Sequence, residues 1–194
     1  VFASGNGSNF VTIYNVIKSN NINGKIKLLI SNNPNSGAVQ FAKDNLIDIK
    51  IINNKRFPNT VPMEYENVLK IYKTDLILLA GFMKKIPLNI VNLFQNQIFN
   101  IHPSLLPKYG GPGFYGMKVH EEVIRSKDKF SGATVHFVNE EYDKGPIVLQ
   151  RKIEVEAEDD AFSLSKKVLK VEHKIYVKAI KSFCLDKILI INNK

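Results

Sequence analysis

The stretch "QIFNIHPSLLPKYGGPGFYG", residues 97–116, decides how this chain is read. Residues 97–102 are a short run rich in β-branched and aromatic side chains, as in a buried strand. It ends at Asn100, Ile101, His102 and Pro103, and a glycine-rich loop follows. Side chains two apart on a strand face the same side. Asn100 and His102 therefore address one space, and Pro103 holds His102 out of the helical region.

Working outward, "DLILLA" (75–80) reads as a second buried central strand. Further strands are expected at 1–3, 25–31, 47–52, 133–138 and 147–155, and helices at 8–20, 36–45, 62–73, 87–95, 117–127 and 160–182. Strand and helix alternate through the first hundred residues. That implies right-handed crossovers and a mostly parallel central sheet with helices on both faces. The later strands, without long helices between them, imply an antiparallel extension. The fold class is α/β, and ligands of such sheets bind beyond the carboxyl ends of the strands. "VFA" (1–3) reads as the end of a longer strand, so the amino-terminal strand is expected to be truncated. "KILIINNK" (187–194) reads as a short apolar strand.

The 194 residues are 44% hydrophobic and 23% charged, with no apolar run of bilayer length. Cys184 is the one cysteine, so no internal disulfide forms. No Cys/His cluster has zinc-ligand spacing. The net charge of +9 comes from scattered lysines, with short clusters at Lys84-Lys85 and Lys166-Lys167. A basic arm interleaved with aromatics is missing, so a solvated lysine-rich surface is the favoured reading over nucleic-acid binding. An anionic small substrate also fits the charge.

Two further motifs bear on chemistry. "SGNGSN" (4–9) follows the first strand and opens the first helix. Gly5 and Gly7 allow a tight turn, and Ser8 or Asn9 is expected to cap the helix. The N–H groups of Gly7, Ser8 and Asn9 would suit a phosphate, although an ordinary capped turn explains the pattern equally well. The loop lacks the Lys-Ser/Thr ending of a P-loop. The second motif, "GATVHFVNEEYDKGPIV" (132–148), carries His136 on a strand and Asp143 in a turn.

An amide N–H can stabilise the oxyanion formed when a carbonyl is attacked. An imidazole can carry the proton between amine and leaving group. A carboxylate beside it orients the ring and favours its charged form. Asn100, His102 and Asp143 together thus suit acyl transfer to an amine. Each alone has a plainer reading: Asn100 and His102 as structural strand-end residues, Asp143 as a turn residue. His136, between Val135 and Phe137, is given a supporting role. His120 and His173 are assigned to packing or surface, and Ser104 lacks a nucleophile-elbow setting.

"SGNGSN", "LLAGFMKK", "FNIHPSLLPKYGG", "TVHFVNEEYDKGPIVLQ" and "VEHKIY" occur in an order that resembles the folate-dependent formyltransferases over nearly the whole chain. The early "SGNGSN" is similar to the branch acting on glycinamide ribonucleotide. The resemblance implies one Rossmann-like formyltransferase domain over 1–194. It implies formyl transfer from 10-formyltetrahydrofolate to the glycinamide amine in purine synthesis, without a metal. Asn100, His102 and Asp143 match the family's catalytic residues, and Gly7, Ser8 and Asn9 its substrate-phosphate loop. Glu172 matches a ribose contact, and Met83, Lys84, Lys85 and Ile86, with Asn100, the folate site. The implied partners are small molecules, with no nucleic acid and no membrane, in a monomer or homodimer. The expected compartment is the cytoplasm, or an organelle if a targeting segment precedes Val1.

The match has departures. Lys84 stands where the family has Arg, keeping charge but losing the bidentate fork. The family's mid-chain folate-site Arg has no clear counterpart near "PNTVPMEYE", and Arg56 is not assigned to that role. The rivals are a formyltransferase acting on initiator tRNA, which should carry a further carboxyl-terminal domain, and a formyl-folate hydrolase. A non-catalytic nucleotide- or folate-binding protein would not need all three site residues.

Overall fold

The computed structural model describes residues 1–186; the expected strand at 187–194 lies outside the described residues. In chain order the elements are α1 (Ser8–Lys18), β1 (Leu28–Ser31), α2 (Gly37–Asp44), β2 (Asp48–Ile51), α3 (Val61–Ile71), β3 (Ile77–Leu79), α4 (Leu88–Leu93), β4 (Ile98–His102), α5 (Met117–Arg125), β5 (Phe130–Phe137), β6 (Ile147–Glu154) and α6 (Ala161–Cys184).

β1 pairs with β2 and β3 with β4, both parallel. The segment 1–3 stitches these pairs together, because Phe2 bridges Ile30 and Leu79, again in parallel. The Phe2 N–H donates to Leu78 O at 2.8 Å, and Phe2 O accepts from the Ala80 N–H at 2.8 Å. β4–β5 and β5–β6 are antiparallel, which is the expected extension. The spatial order is therefore β2, β1, segment 1–3, β3, β4, β5, β6. The chain builds outward on one side of segment 1–3 and then returns to build on the other. The glycine loop after Ala3 thus sits where the strand order reverses, the usual address of a ligand in this architecture.

Strand periodicity sorts the core into two layers. Leu29, Leu78, Phe99, Ile101 and Val135 belong to the cluster under α1, α2 and α6. Leu28, Ile30, Ile77, Leu79 and Ile98 belong to the cluster under α3 and α4. Burying each such side chain contributes about 1.5–3 kcal/mol. On β4 this leaves Asn100 and His102 on the same face as Ile98. α6 is anchored by Tyr176, fully buried, whose hydroxyl reaches Leu79 O (3.0 Å) and Phe99 O (3.2 Å) at the last rung between β3 and β4.

Most boundaries shift by a few residues from the sequence reading, and two of the shifts have a visible cause. The first ladder begins at Leu28 rather than residue 25. The Lys27 ammonium donates to Tyr72 O and Lys73 O just past α3, at 3.1 and 3.0 Å. β5 begins at Phe130, because its pairing with β6 runs on to Phe130↔Glu154.

Candidate active site

The antiparallel pairing of β4 and β5 sets His136 directly opposite Asn100 and Thr134 opposite His102. Opposed residues share a face and lie within side-chain reach. Asn100 Nδ2 lies 3.1 Å from His136 Nε2 and 3.4 Å from Asp143 Oδ1. Asp143 comes from the turn between β5 and β6 at φ 55°, a left-handed conformation that Asp tolerates better than most residues. Its Oδ2 accepts from the Gly111 N–H at 2.9 Å and lies 3.7 Å from His102 Nδ1. The structure therefore brings Asn100, His102, His136 and Asp143 together.

Backbone carbonyls decide where the ring protons sit. Tyr109 O is 2.7 Å from His102 Nε2, and a carbonyl only accepts, so Nε2 carries a hydrogen. In the neutral ring, Nδ1 is then the bare nitrogen facing Asp143. Burial pushes His102 below the usual histidine range, while the Asp143 carboxylate and the Tyr109 carbonyl oppose it. Asp143 thus favours the charged ring, as the sequence reading expected, but burial wins. Burial also pushes Asp143 upward, and the neighbouring imidazoles with the Gly111 N–H outweigh it, so the carboxyl titrates below its ordinary value.

The loop after His102 is held by a buried hydroxyl. Thr134 Oγ1 donates to Ser104 O (2.6 Å) and accepts from the Leu106 N–H (3.2 Å) and Gln150 Nε2 (2.9 Å). This fixes the path that carries Tyr109 and Gly111 back over the site.

At the other end, Gly7 is the N-cap of α1, at φ 80°, and no side chain caps the helix. This corrects the expected cap from Ser8 or Asn9. Ser8 is the first helical residue, and the Asn9 amide turns inward to donate to Glu172 Oε2 at 2.6 Å. The first N–H groups of α1 are left without a side-chain acceptor, a setting suited to an anion. A Cβ at Gly7 would lie 2.9 Å from both Cα and Cβ of Ala38, so only glycine lets α1 start this close to α2. Glu172 is buried, and burial raises its carboxyl above the usual range against the pull of the Asn9 amide.

A cavity of about 560 Å³ joins these features. Gly7, Ser8, Asn9 and Glu172 line it, as do Met83, Lys84, Lys85 and Ile86, and Asn100, His102, His136 and Asp143. Ser4 Oγ accepts from the Met83 N–H at 3.1 Å, tying the 81–86 segment to the glycine loop. The Lys85 ammonium sits 5.5 Å from the Tyr142 ring, linking that segment to the 139–143 turn. Arg56 does not line the cavity.

Sequence reasoning missed several contributors. His120 lines the cavity, is 4% exposed, and its Nδ1 has no protein partner. Burial, and then the nearby His102, push its pKa down to about 4. Its placement on a helix concealed this; its position three residues into the helix after the glycine loop was the available signal. Tyr109 and Gly111 act through backbone atoms, which side-chain chemistry does not reveal. His173, also read as packing or surface, does not line the cavity; it is half-buried with no partner for Nε2.

Among the described residues no group of three or more His, Cys, Asp or Glu side chains is placed to hold a metal ion. None of the described helices is long and apolar enough to cross a membrane.

Known proteins are similar to this chain over most of its length. The chain is 42% identical over 191 residues to a chloroplastic phosphoribosylglycinamide formyltransferase of Vigna unguiculata, covering 97% of this chain and 61% of that protein. It is 43% identical over 191 residues to the Arabidopsis thaliana protein of the same name, covering 97% of this chain and 65% of that one. The chain thus spans a little under two thirds of the length of these relatives. Glycinamide ribonucleotide transformylase 1 from Symbiobacterium toebii superposes with a TM-score of 0.91 at 30% identity, covering 98% of this chain and 89% of that one. The family model described as "Formyl transferase" matches residues 1–180, a span that contains the glycine loop, Asn100, His102, Asp143 and Glu172. Matched by this family model over residues 1–180, the chain belongs to the formyl transferase family.

Proposed function

We propose that this chain transfers a formyl group from 10-formyltetrahydrofolate to the amine of glycinamide ribonucleotide. The carrying observation is the meeting of Asn100, His102 and Asp143 in one cavity that also reaches the uncapped start of α1. An amide donor, an imidazole and a carboxylate serve acyl transfer, and the helix start serves a phosphate.

In this reading Gly7, Ser8 and Asn9 hold the ribonucleotide phosphate with backbone N–H groups. Glu172, oriented by the Asn9 amide, accepts from the ribose hydroxyls. The folate lies against residues 83–86 and the 139–143 turn, where apolar side chains and backbone polar groups are both present. The glycinamide nitrogen attacks the formyl carbon and a C–N bond forms. Asn100 donates to the oxygen as it gains charge. His102, with Asp143 stabilising its charged form, takes the proton from the attacking nitrogen and returns it to the leaving folate nitrogen as that C–N bond breaks.

The test is an assay of the purified chain with 10-formyltetrahydrofolate and glycinamide ribonucleotide, with a second arm lacking the ribonucleotide. Formylated ribonucleotide forming only in the first arm supports the reading. Formate release in both arms at one rate makes water the acceptor, and no folate turnover in either arm overturns catalysis.

A further inference from the structure

We propose that His136 is a positioning residue: its ring, locked in one tautomer by the Phe137 carbonyl, sets which end of the Asn100 amide faces the reacting carbon. This rests on the formyl-transfer reading above, but its structural half stands apart from activity.

His136 Nδ1 lies 2.8 Å from Phe137 O. The carbonyl accepts, so Nδ1 carries the hydrogen and Nε2 of the neutral ring is bare. That bare nitrogen lies 3.1 Å from Asn100 Nδ2 and takes one of its two hydrogens; Asp143 Oδ1 is 3.5 Å from the same nitrogen, so the Asn100 amide stands between two acceptors. The second hydrogen is left for the long 3.4 Å approach to Asp143 Oδ1. A reversed amide would set its oxygen against the His136 lone pair and the Asp143 carboxylate together. Water cannot relieve that clash at the ring, which is 2% exposed. The Asp143 contact is the one a formyl oxygen would displace. His136 is then what keeps the amide oriented while the reaction proceeds.

Two backbone features hold the lock in place. The β5–β6 register slips between Val135 and His136, an irregularity of the kind that re-aims side chains beside sites. The turn after Asp143 closes onto the Phe137 carbonyl, where a Cβ at Gly145 would fall 1.7 Å from Phe137 O. Pro146 O also accepts from the Phe137 N–H at 2.9 Å. Both the N–H and the carbonyl of Phe137 are therefore held.

The test compares His136→Leu with His136→Gln in the full chain. Gln brings an acceptor to the Nε2 position; Leu fills the space without one. His136→Leu should lower kcat about 10- to 100-fold, part of the loss seen when an oxyanion donor is removed, with both KM values little changed. His136→Gln should recover most of that loss. Nitrogen-15 NMR of the ligand-free wild type should show Nδ1 protonated and Nε2 bare in His136. The Asn100 side-chain amide resonances should move in His136→Leu and return toward wild type in His136→Gln. Wild-type turnover in His136→Leu, a Gln variant no better than Leu, or a hydrogen on Nε2 in the wild type overturns the proposal. The NMR arm reads the lock even if formyl transfer itself fails, and wild type with His136→Gln suffice if His136→Leu does not fold.

Discussion

Replacing Gly7 by alanine places one methyl group at a tightly packed point of the proposed phosphate loop. Gly7 lies at φ 80°, ψ 22°. The left-handed region costs a non-glycine residue about 1–2 kcal/mol. The new Cβ would also meet Ala38 Cα and Cβ at 2.9 Å and Ala38 N at 3.3 Å. These atoms belong to the α2 backbone and its first Cβ, so they cannot swing aside. Forcing a methyl into such packing costs about 1–3 kcal/mol. The combined loss of stability should be about 2–5 kcal/mol, and relief requires α1 to retreat from α2. That retreat moves the N–H groups of Ser8 and Asn9 off the phosphate. Hydrogen bonds to charged groups contribute about 1.5–3 kcal/mol, so ribonucleotide affinity should fall about 10- to 100-fold. Denaturant unfolding measures the first effect, and titration calorimetry with glycinamide ribonucleotide and separately with a folate analogue measures the second. The folate analogue should bind much as before. A folded Gly7→Ala protein with wild-type ribonucleotide affinity would refute the phosphate assignment.

Three further outcomes follow from the site. Asp143→Asn tolerates φ 55° and keeps an acceptor for the Gly111 N–H, so the chain should fold. It removes the charge that opposes burial at His102, so kcat should fall and the acid limb of its pH profile should move to lower pH. His120 is held near 4 in the folded chain against 6.5 for a free histidine. Its folded pKa is depressed, so the unfolded state gains the proton first as pH falls. The stabilisation present above pH 6.5 should shrink between about pH 6.5 and 4, by up to about 3 kcal/mol, and a pH series of unfolding curves for wild type and His120→Phe checks the difference. Gly145→Ala sets a methyl 1.7 Å from Phe137 O and should destabilise the chain by on the order of 3 kcal/mol, read by thermal unfolding.

Much of this was legible because periodicity and chemistry coincide in the sequence. Asn100 and His102 two apart in "NIH" declare one face of one strand, and the structure keeps both on it. The alternation of 25–31, 47–52, 75–80 and 97–102 with helices pointed to the parallel sheet. Three things lay outside that logic. The Asn100–His136 pairing is a matter of antiparallel register, which depends on how β4 and β5 meet rather than on either segment alone. The helix cap failed as an expectation because Asn9, a good capping residue by type, is drawn instead to a buried carboxylate 163 residues away in the chain. His120 was assigned to packing or surface because its place on an expected helix does not tell whether it faces a cavity.

The most direct test of the account is the single-turnover rate of formyl transfer by Asn100→Ala, measured with both substrates saturating. In the proposed reaction Asn100 donates to the formyl oxygen, and its N–H toward Asp143 is the weakly held one at 3.4 Å. Losing such a donor should slow transfer about 100- to 1000-fold, with the affinities for ribonucleotide and folate little changed. A rate within a few-fold of wild type in the folded variant would contradict the account.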